Sequence, residues 1–156
     1  VVSVDPRCAL FSQTAEYAMR AVAHLATCPD GMSTIPEMSE AIRVNAPYLR
    51  KVLNRLRDNG IVEAQRGTGG GIYLTVDQDD LTLLDVLNAV DPLRRIESCP
   101  LGLPDHLKLC PLHSELDAAI SKIEQLLQAR SIGELLSTRR SAGRCGFPRL
   151  EDLFQL

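Results

Sequence analysis

The sequence contains no tryptophan, and aromatic residues make up only 4% of the chain. Proteins that bind RNA or single-stranded DNA commonly stack bases on aromatic side chains, so this scarcity disfavours those classes. No apolar run approaches the length of a membrane-spanning helix, and the first residues, VVSVDPRC, include no long apolar region. We therefore expect a cytoplasmic protein with no membrane partner.

The five cysteines are an odd number, lie far apart and form no CxxC pair. In a chain without a secretion signal, this pattern disfavours a disulfide framework. We expect Cys8 and Cys28 to be buried, inert thiols. Metal binding or thiol redox chemistry is the remaining expectation for cysteines that act.

The chain also lacks the usual signatures of an enzyme. Its one glycine cluster, Gly67 to Gly71, is not followed by Lys-Ser/Thr and opens no helix, so it is not a phosphate-binding loop. A Cys–His nucleophile is conceivable but has no local sequence signature. We therefore expect a protein that is not an enzyme.

What the sequence does contain is a short basic helix followed by a hairpin, in the stretch 43–73. Apolar residues at i, i+3, i+4 and i+7 give the helix one stripe to bury: Leu49, Val52, Leu53 and Leu56. Asn45 is placed to cap this helix, Pro47 suits its first turn, and Asn59-Gly60 ends it. Strand-favouring residues at 61–62 and 72–76 flank a glycine-rich turn, which predicts a two-stranded wing.

Two further helices are predicted before the basic one. Ser12 caps the first, which runs to about Thr27, and Ser33 or Thr34 caps the second. The brief link 44–46 then gives the connection that a helix-turn-helix requires. The predicted fold is mainly α with a small β wing, a winged helix-turn-helix over residues 11–90.

Charge supports an interaction with duplex DNA. Between Arg43 and Arg66 there are six basic and two acidic residues, a balance of +4, so the remainder of a chain with net charge −3 carries −7. An acidic protein that concentrates positive charge on one helix and its hairpin is suited to a polyanion, although an ordinary solvated helix face is the alternative. The predicted DNA-contacting residues are Pro47, Tyr48, Arg50, Lys51, Asn54, Arg55, Arg57 and Arg66. Those at the start of the helix are expected to face the major groove, Arg55 and Arg57 phosphates, and Arg66 a minor groove.

A fourth helix over Leu81–Val90, capped by Thr82 or Asp80, is expected to pack beneath the helix-turn-helix that is predicted to read DNA.

The composition of the chain changes at residue 91. Residues 91–113 read as a broken loop, 114–136 as a long helix with a short following helix, and 137–156 as a tail that we expect to be partly mobile. Ser131 and Glu134 form a predicted capping box for the short helix.

The long helix carries a narrow apolar seam with steps of three and four residues, which is typical of coiled coils. Its central members are Leu116, Ile120, Ile123 and Leu127. Such a seam requires a partner helix, and a second copy of the chain is the simplest one. We therefore expect a homodimer held by this helix.

The loop before this helix clusters potential metal ligands at Cys99, His106, Cys110 and His113, with Asp105 as a further oxygen donor. Thiolate and imidazole are ligands for zinc and for iron–sulfur clusters. The spacing matches no standard zinc finger, and a tight loop built from Pro and Cys is the alternative. The sequence thus predicts a metal or cluster site here.

Three stretches together resemble the Rrf2 family of winged-helix regulators, of the IscR and NsrR type: FSQTAEYAMRAVAHLA, YLRKVLNRLRDNGIVEAQRGTGGGIYL and TLLDVLNAVD. With the Cys-containing loop and long helix, the resemblance covers about residues 11–136. It implies a homodimer, held by the long helix, that binds palindromic promoter DNA. It also implies, for many members, an iron–sulfur cluster that senses cluster supply, nitric oxide or redox state.

The resemblance implies roles for individual residues. Cys99 and Cys110 match the first and last cysteines of the family's loop, and His113 matches a histidine ligand of one branch. Glu16 matches a position from which some members offer a carboxylate across the dimer. Where the family has its middle cysteine, this chain has Asp105-His106.

Together, these features predict a dimeric DNA-binding transcriptional regulator, a repressor, that responds to an iron–sulfur cluster in the loop. The alternative keeps DNA binding and makes the loop a structural zinc site or a thiol switch. A pure protein-interaction dimer is disfavoured by the positive charge of the basic helix.

Overall fold

The computed structural model describes residues 10–99 and 109–141, with side chains up to residue 137. Cys8, Asp105, His106 and the tail beyond residue 141 lie outside these described residues. In chain order the elements are α1 (Gln13–Thr27), β1 (Met32–Ser33), α2 (Ile35–Ile42), α3 (Ala46–Asp58), β2 (Val62–Ala64), β3 (Ile72–Leu74), α4 (Leu83–Val90), α5 (Pro111–Gln128) and α6 (Ile132–Ser141). The chain is therefore mainly helical with one small sheet, as the sequence predicts.

Helix α1 lies at the centre of the fold and contacts α2, α3 and α4. Its N-terminus is capped by Ser12, whose hydroxyl accepts from the Ala15 N–H. Its buried face is built from small residues, which allow the neighbouring helices to approach closely: Ala15, Ala18, Ala21, Val22 and Ala23. Leu25 completes this face and is only 2% exposed.

Helices α2 and α3 form the expected helix-turn-helix. Of the two predicted caps for α2, the structure uses Thr34, which forms a capping box with Glu37. The turn passes through Arg43, which has φ 54° and is the one non-glycine residue with positive φ among those described. Asn45 then caps α3 by accepting from the Tyr48 N–H at 2.9 Å. The predicted apolar stripe of α3 is buried throughout.

The wing has one more strand than the sequence predicts. β2 and β3 form the expected antiparallel hairpin, and β1 pairs with the other edge of β3 through Ser33 and Ile72. A two-residue strand gives no recognisable periodicity, which is why sequence reasoning missed it. Gly71 permits the close approach, because a Cβ there would lie 3.1 Å from the Ser33 carbonyl oxygen.

Helix α4 begins two residues later than predicted because Thr82 is its cap. The Thr82 hydroxyl accepts from the Asp85 N–H, and the Asp85 carboxylate accepts from the Thr82 N–H. This helix buries Val86, Leu87 and Val90 beneath α1 and α3. It therefore packs under the helix-turn-helix unit, as expected.

Helix α5 begins at Pro111, three residues before the predicted boundary, so His113 lies in its first turn. Proline suits that position because its missing N–H is not needed there. After α5, the predicted capping box forms between Ser131 and Glu134. The turn into α6 docks on the start of α4, where the Ile132 N–H donates to the Leu81 carbonyl oxygen at 2.8 Å.

Among the described residues, no helix is both long and apolar enough to cross a membrane.

Candidate functional site

The exposed face of α3 carries most of the predicted DNA-contacting side chains. Burial of the apolar stripe turns the opposite face outward, and it exposes Pro47, Arg50, Lys51, Asn54 and Arg57. Arg57 makes a weak exposed ion pair with Asp58, at 3.7 Å between Nη2 and Oδ1. The arrangement gives one continuous polar and basic surface beside the wing.

Tyr48 differs from its neighbours because it is half-buried. Its hydroxyl lies 2.6 Å from the Thr14 Oγ1, and its ring packs edge-on against the Tyr17 ring with centroids 5.5 Å apart. Both partners belong to α1. The Tyr48 side chain therefore fixes the start of α3 against α1, a role that the sequence did not predict.

Arg55 also has a partner within the chain. Its Nη1 donates to the Val90 carbonyl oxygen at 2.7 Å, and Asn59 donates to the Ala89 carbonyl oxygen at 3.1 Å. Both acceptors lie at the end of α4. The phosphate contact predicted for Arg55 stays a prediction, and the structure gives this side chain a bond to α4 that sequence reasoning missed.

The tip of the wing exposes Arg66. Gly67 and Gly69 beside it have φ 107° and 78°, a backbone region that residues with a side chain rarely adopt. The turn is closed by hydrogen bonds from Gln65 N–H to the Gly71 carbonyl and from Gly70 N–H to the Gly67 carbonyl. The wing thus holds one guanidinium at the end of a defined turn.

A second site lies where the loop meets α5. Cys99, Cys110 and His113 each place one ligand atom within 4.8 Å of the others. The His113 Nδ1 is 3.1 Å from the Cys110 Sγ and 3.7 Å from the Cys99 Sγ. Cys99 is only 8% exposed, and the other two residues are half-buried. Three of the predicted ligands therefore come together, while His106 lies outside the described residues.

Glu16, the remaining candidate ligand, lies in the first turn of α1. Its carboxylate forms an ion pair and hydrogen bond with the Arg20 guanidinium one turn later. Arg20 in turn lies over the Tyr17 ring, with 5.8 Å between Cζ and the centroid. Within this single chain, Glu16 is not part of the group formed by Cys99, Cys110 and His113.

The residues of the predicted dimer seam lie on two adjacent faces of α5. No residue of α5 is buried in the single described chain. Leu127 packs against the core of its own chain, and Ile120 and Ile123 are both half-buried. The outward stripe steps by four and three residues and consists of Leu112, Leu116, Ala119, Ile123 and Leu126. Leu112, Leu116 and Leu126 are 65%, 47% and 70% exposed. Leu126 was not among the seam residues predicted from the sequence.

Cys28, expected to be buried, is half-exposed at the end of α1. Its Sγ lies 3.5 Å from the His24 Nε2. Partial burial, followed by the nearby carboxylates of Glu37 and Asp30, raises the pKa of the Cys28 thiol. The raised pKa keeps the thiol protonated at neutral pH, and the inertness expected of Cys28 stays a prediction.

Most of the chain matches the model of one known protein family. The model of Rrf2, described as an iron-dependent transcriptional regulator, matches residues 11–138. The chain belongs to the Rrf2 family. The family resemblance drawn from the sequence is confirmed.

Relatives and solved structures agree with this Rrf2 assignment. A "Putative HTH-type transcriptional regulator" of Aquifex aeolicus (strain VF5) is 26% identical over 133 residues, covering 82% of this chain and 92% of that protein. The structure of T. potens IscR matches with a TM-score of 0.71 at 20% identity, over 85% of this chain and 89% of that chain. The structure of CymR (YrzC), named as the global cysteine regulator of B. subtilis, matches with a TM-score of 0.68 at 22% identity. The match covers 82% of this chain and 96% of that chain. These likenesses confirm the winged-helix fold.

The donor set of this Rrf2 chain fits a metal. In a tetrahedral zinc site, bonds of about 2.3 Å to sulfur and about 2.0 Å to nitrogen place neighbouring ligand atoms roughly 3.5 Å apart. The observed separations of 3.1 and 3.7 Å from His113 Nδ1 lie close to that value. Two thiols and an imidazole are also ligand types of iron–sulfur clusters. Since a structural zinc site and an iron–sulfur cluster each take four protein ligands, the three residues would need one more to form either centre.

Proposed function

We propose that this Rrf2 chain is a homodimeric repressor that binds palindromic duplex promoter DNA. The observation that carries this proposal is the exposed basic face of α3 within a winged helix. The local charge of +4, against −7 in the remainder, concentrates attraction for phosphate on that face.

On duplex DNA, the first turns of α3 enter the major groove, as in other helix-turn-helix proteins. Arg50, Lys51 and Asn54 supply donors for base edges, and Pro47 contacts the groove wall. Tyr48 contributes by holding the helix start against α1. Arg57, with Arg55, meets phosphate further along, and Arg66 extends into the adjacent minor groove.

The homodimer is assembled by α5. The outward stripe through Leu116 and Leu126 repeats every three and four residues, which is the pattern of two helices packed side by side. A symmetric dimer presents the same stripe from both copies and so places two reading heads on two half-sites. Ile123 belongs to this stripe and Ile120 lies next to it on the helix, both half-buried, whereas Leu127 packs against the chain's own core.

The proposed sensing site consists of Cys99, Cys110 and His113, which would hold an iron–sulfur cluster. When bound, the cluster would supply reversible electron transfer and reactivity towards oxidants and nitric oxide, and imidazole ligation by His113 would raise its potential. These residues join the segment after α4 to the first turn of α5, so they set how α5 leaves the winged-helix unit. That geometry determines the spacing of the two reading heads.

The fourth ligand is proposed to be the carboxylate of Glu16 from the second copy of the chain. This requires the ion pair with Arg20 to open when the metal binds. Glu16→Gln should then weaken metal retention without changing dimerisation. His106 is the competing fourth ligand, and His106→Ala distinguishes the two.

A second candidate keeps DNA binding and replaces the cluster by a single zinc ion or a thiol switch. The observation that favours it is the compactness of the group, whose three ligand atoms lie within 4.8 Å of one another. That is the arrangement around one tetrahedral ion. The thiols of Cys99 and Cys110 would alternatively form a disulfide, losing two protons and two electrons to an oxidant such as a peroxide.

Anaerobic purification followed by iron, sulfide and zinc analysis and a visible spectrum tests the sensing site. We expect iron and sulfide in the wild-type protein, their loss in Cys99→Ser, and their retention in the matched control Cys28→Ser. Zinc without sulfide would establish the second candidate. A protein with neither iron nor zinc, and with no disulfide between Cys99 and Cys110 after oxidation, would remove the sensing site.

A further inference from the structure

The segment after α4 is attached to α5 chiefly by the carboxylate of Asp117. Asp117 Oδ1 accepts from Arg95 Nε at 2.7 Å, and Asp117 Oδ2 accepts from Arg95 Nη2 at 2.5 Å. This is the paired geometry that guanidinium and carboxylate groups form best. Arg95 Nη1 also reaches Glu124, at 3.4 Å from Oε2, on the next turns of α5.

The same carboxylate also binds the backbone. Asp117 Oδ1 accepts from the Ile96 N–H at 2.9 Å. Within the described residues, this is the one backbone hydrogen bond made by the segment 92–99. The hydrogen bond from Arg95, followed by that from Ile96, lowers the pKa of Asp117 to about 2. The carboxylate is therefore ionised and bound throughout the neutral range.

The attachment lies beside the candidate metal-ligand group, which consists of Cys99, Cys110 and His113. His113 and Asp117 are four residues apart on α5, so they lie on one face separated by one turn, a rise of about 6 Å. Ile96 and Cys99 are three residues apart, and an extended segment of that length spans at most about 10 Å. With Ile96 fixed at Asp117, Cys99 is within reach of His113, and its Sγ lies 3.7 Å from the His113 Nδ1.

We propose that Asp117 is a positioning residue for the Cys99, Cys110 and His113 group, because it holds the Arg95–Ile96 backbone so that Cys99 already faces His113 before metal binds. Cys110 and His113 need no such help, since both lie at the start of α5. Cys99 comes from a segment without helix or strand. A ligand that is held in place beforehand loses less conformational freedom on binding, so affinity increases.

The experiment compares three variants with the wild type. Asp117→Ala removes the acceptor of both Arg95 and the Ile96 N–H and leaves only the longer Arg95–Glu124 contact, whereas Asp117→Asn keeps an acceptor for the Ile96 N–H and loses the charge. Glu115→Ala is the matched control, because it removes an exposed carboxylate from the same helix. Thermal melting reports whether each variant is folded as the wild type is.

The first readout uses metal-free protein and is independent of any metal function. Peptide mass spectrometry follows alkylation of Cys99 by iodoacetamide, with Cys28 in the same chain as internal reference. We expect the Cys99 rate to increase several-fold in Asp117→Ala and less in Asp117→Asn, with no change in Glu115→Ala. A general loss of stability would instead increase the Cys28 rate as well.

The second readout is Co(II) binding, followed by its thiolate absorption bands. The proposal rests on the proposed metal function for this readout alone. We expect the affinity to fall about tenfold in Asp117→Ala, at the lower end of the loss typical of residues that orient ligands. The band positions should not change, because the ligands are the same.

The two readouts separate the two proposals. If the wild type binds no Co(II) but Asp117→Ala still exposes Cys99, the positioning role stands and the single-ion site proposed as the second candidate fails. If Asp117→Ala matches Glu115→Ala in both the Cys99 rate and the Co(II) affinity, the positioning role is overturned.

Discussion

Arg55 Nη1 donates to the backbone carbonyl oxygen of Val90 at 2.7 Å and thereby connects α3 to the end of α4. The last carbonyls of a helix have no partner within it, so a side chain from elsewhere that satisfies one stabilises the helix end. The segment that continues from α4 carries Cys99. The helix proposed to read DNA is therefore hydrogen-bonded to the helix that leads to the metal-ligand group.

Arg55→Ala should lower the free energy of unfolding by about 1 kcal/mol, since a hydrogen bond from a charged group to the end of α4 is lost. Urea denaturation measures the change. Arg57→Ala is the control, because its exposed ion pair with Asp58 contributes little. Equal stability of the two variants would show that the bond to Val90 has no net effect.

Lys51 and Arg57 should differ in how they affect DNA binding. Lys51→Ala is expected to alter sequence preference by about 1–3 kcal/mol at one base position, because the first turns of α3 are proposed to face the major groove. Arg57→Ala should weaken binding to all duplexes alike and reduce the salt dependence by about one phosphate contact. Fluorescence anisotropy on duplexes selected from a random library measures both effects. Unchanged binding by both variants would show that α3 does not dock as proposed.

Leu116→Asp combined with Leu126→Asp should produce a folded monomer. Both side chains are exposed in the single chain, and each is worth roughly 1.5–3 kcal/mol when it is buried between copies. Sedimentation at micromolar concentration measures the assembly state. Ala118→Asp places the same charge on another, exposed side of α5 and should remain dimeric. A wild-type monomer, or a dimeric double variant, would contradict the proposed interface.

His24 should make the fold less stable in mild acid. Burial lowers the pKa of His24 from its ordinary value near 6.5, and the nearby Glu37 offsets this effect only in part. At a pH below the pKa of His24 in the unfolded chain, the unfolded chain binds a proton more readily than the folded chain does. The stability that is present above about pH 6.5 is therefore lost as the pH falls. Urea midpoints at about pH 7.5 and about pH 5.5 should differ less in His24→Gln than in the wild type. An identical pH dependence in both proteins would exclude His24 as the cause.

The sequence was most informative where local chemistry determines structure. Ser12, Thr34, Asn45 and Thr82 cap helices as predicted, because each side chain accepts from a backbone N–H within its own first turn. The apolar stripe of α3 was equally clear, since its period of 3.6 residues runs through the whole helix.

Features that depend on distant partners were not predictable. The bond from Arg55 to Val90 spans 35 residues, and that from Arg95 to Asp117 spans 22. In α5, apolar residues occupy two adjacent stripes. Periodicity alone does not reveal that Leu127 packs on its own core while Leu126 points outward. The candidate ligands Cys99, Cys110 and His113 could be picked out from the sequence because their residue types are rare and clustered in the chain, and the structure brings these three together.

Metal bound by Cys99, Cys110 and His113 is proposed to control the affinity of the protein for DNA. The most direct measurement is fluorescence anisotropy on a palindromic duplex selected from a random library with the anaerobically prepared protein. Wild-type and Cys110→Ser proteins are compared at one salt concentration, each before and after removal of metal by a chelator. We expect the dissociation constant of the wild type to change at least about tenfold on metal removal and that of Cys110→Ser to stay the same. Equal affinities in all four samples would contradict this proposal.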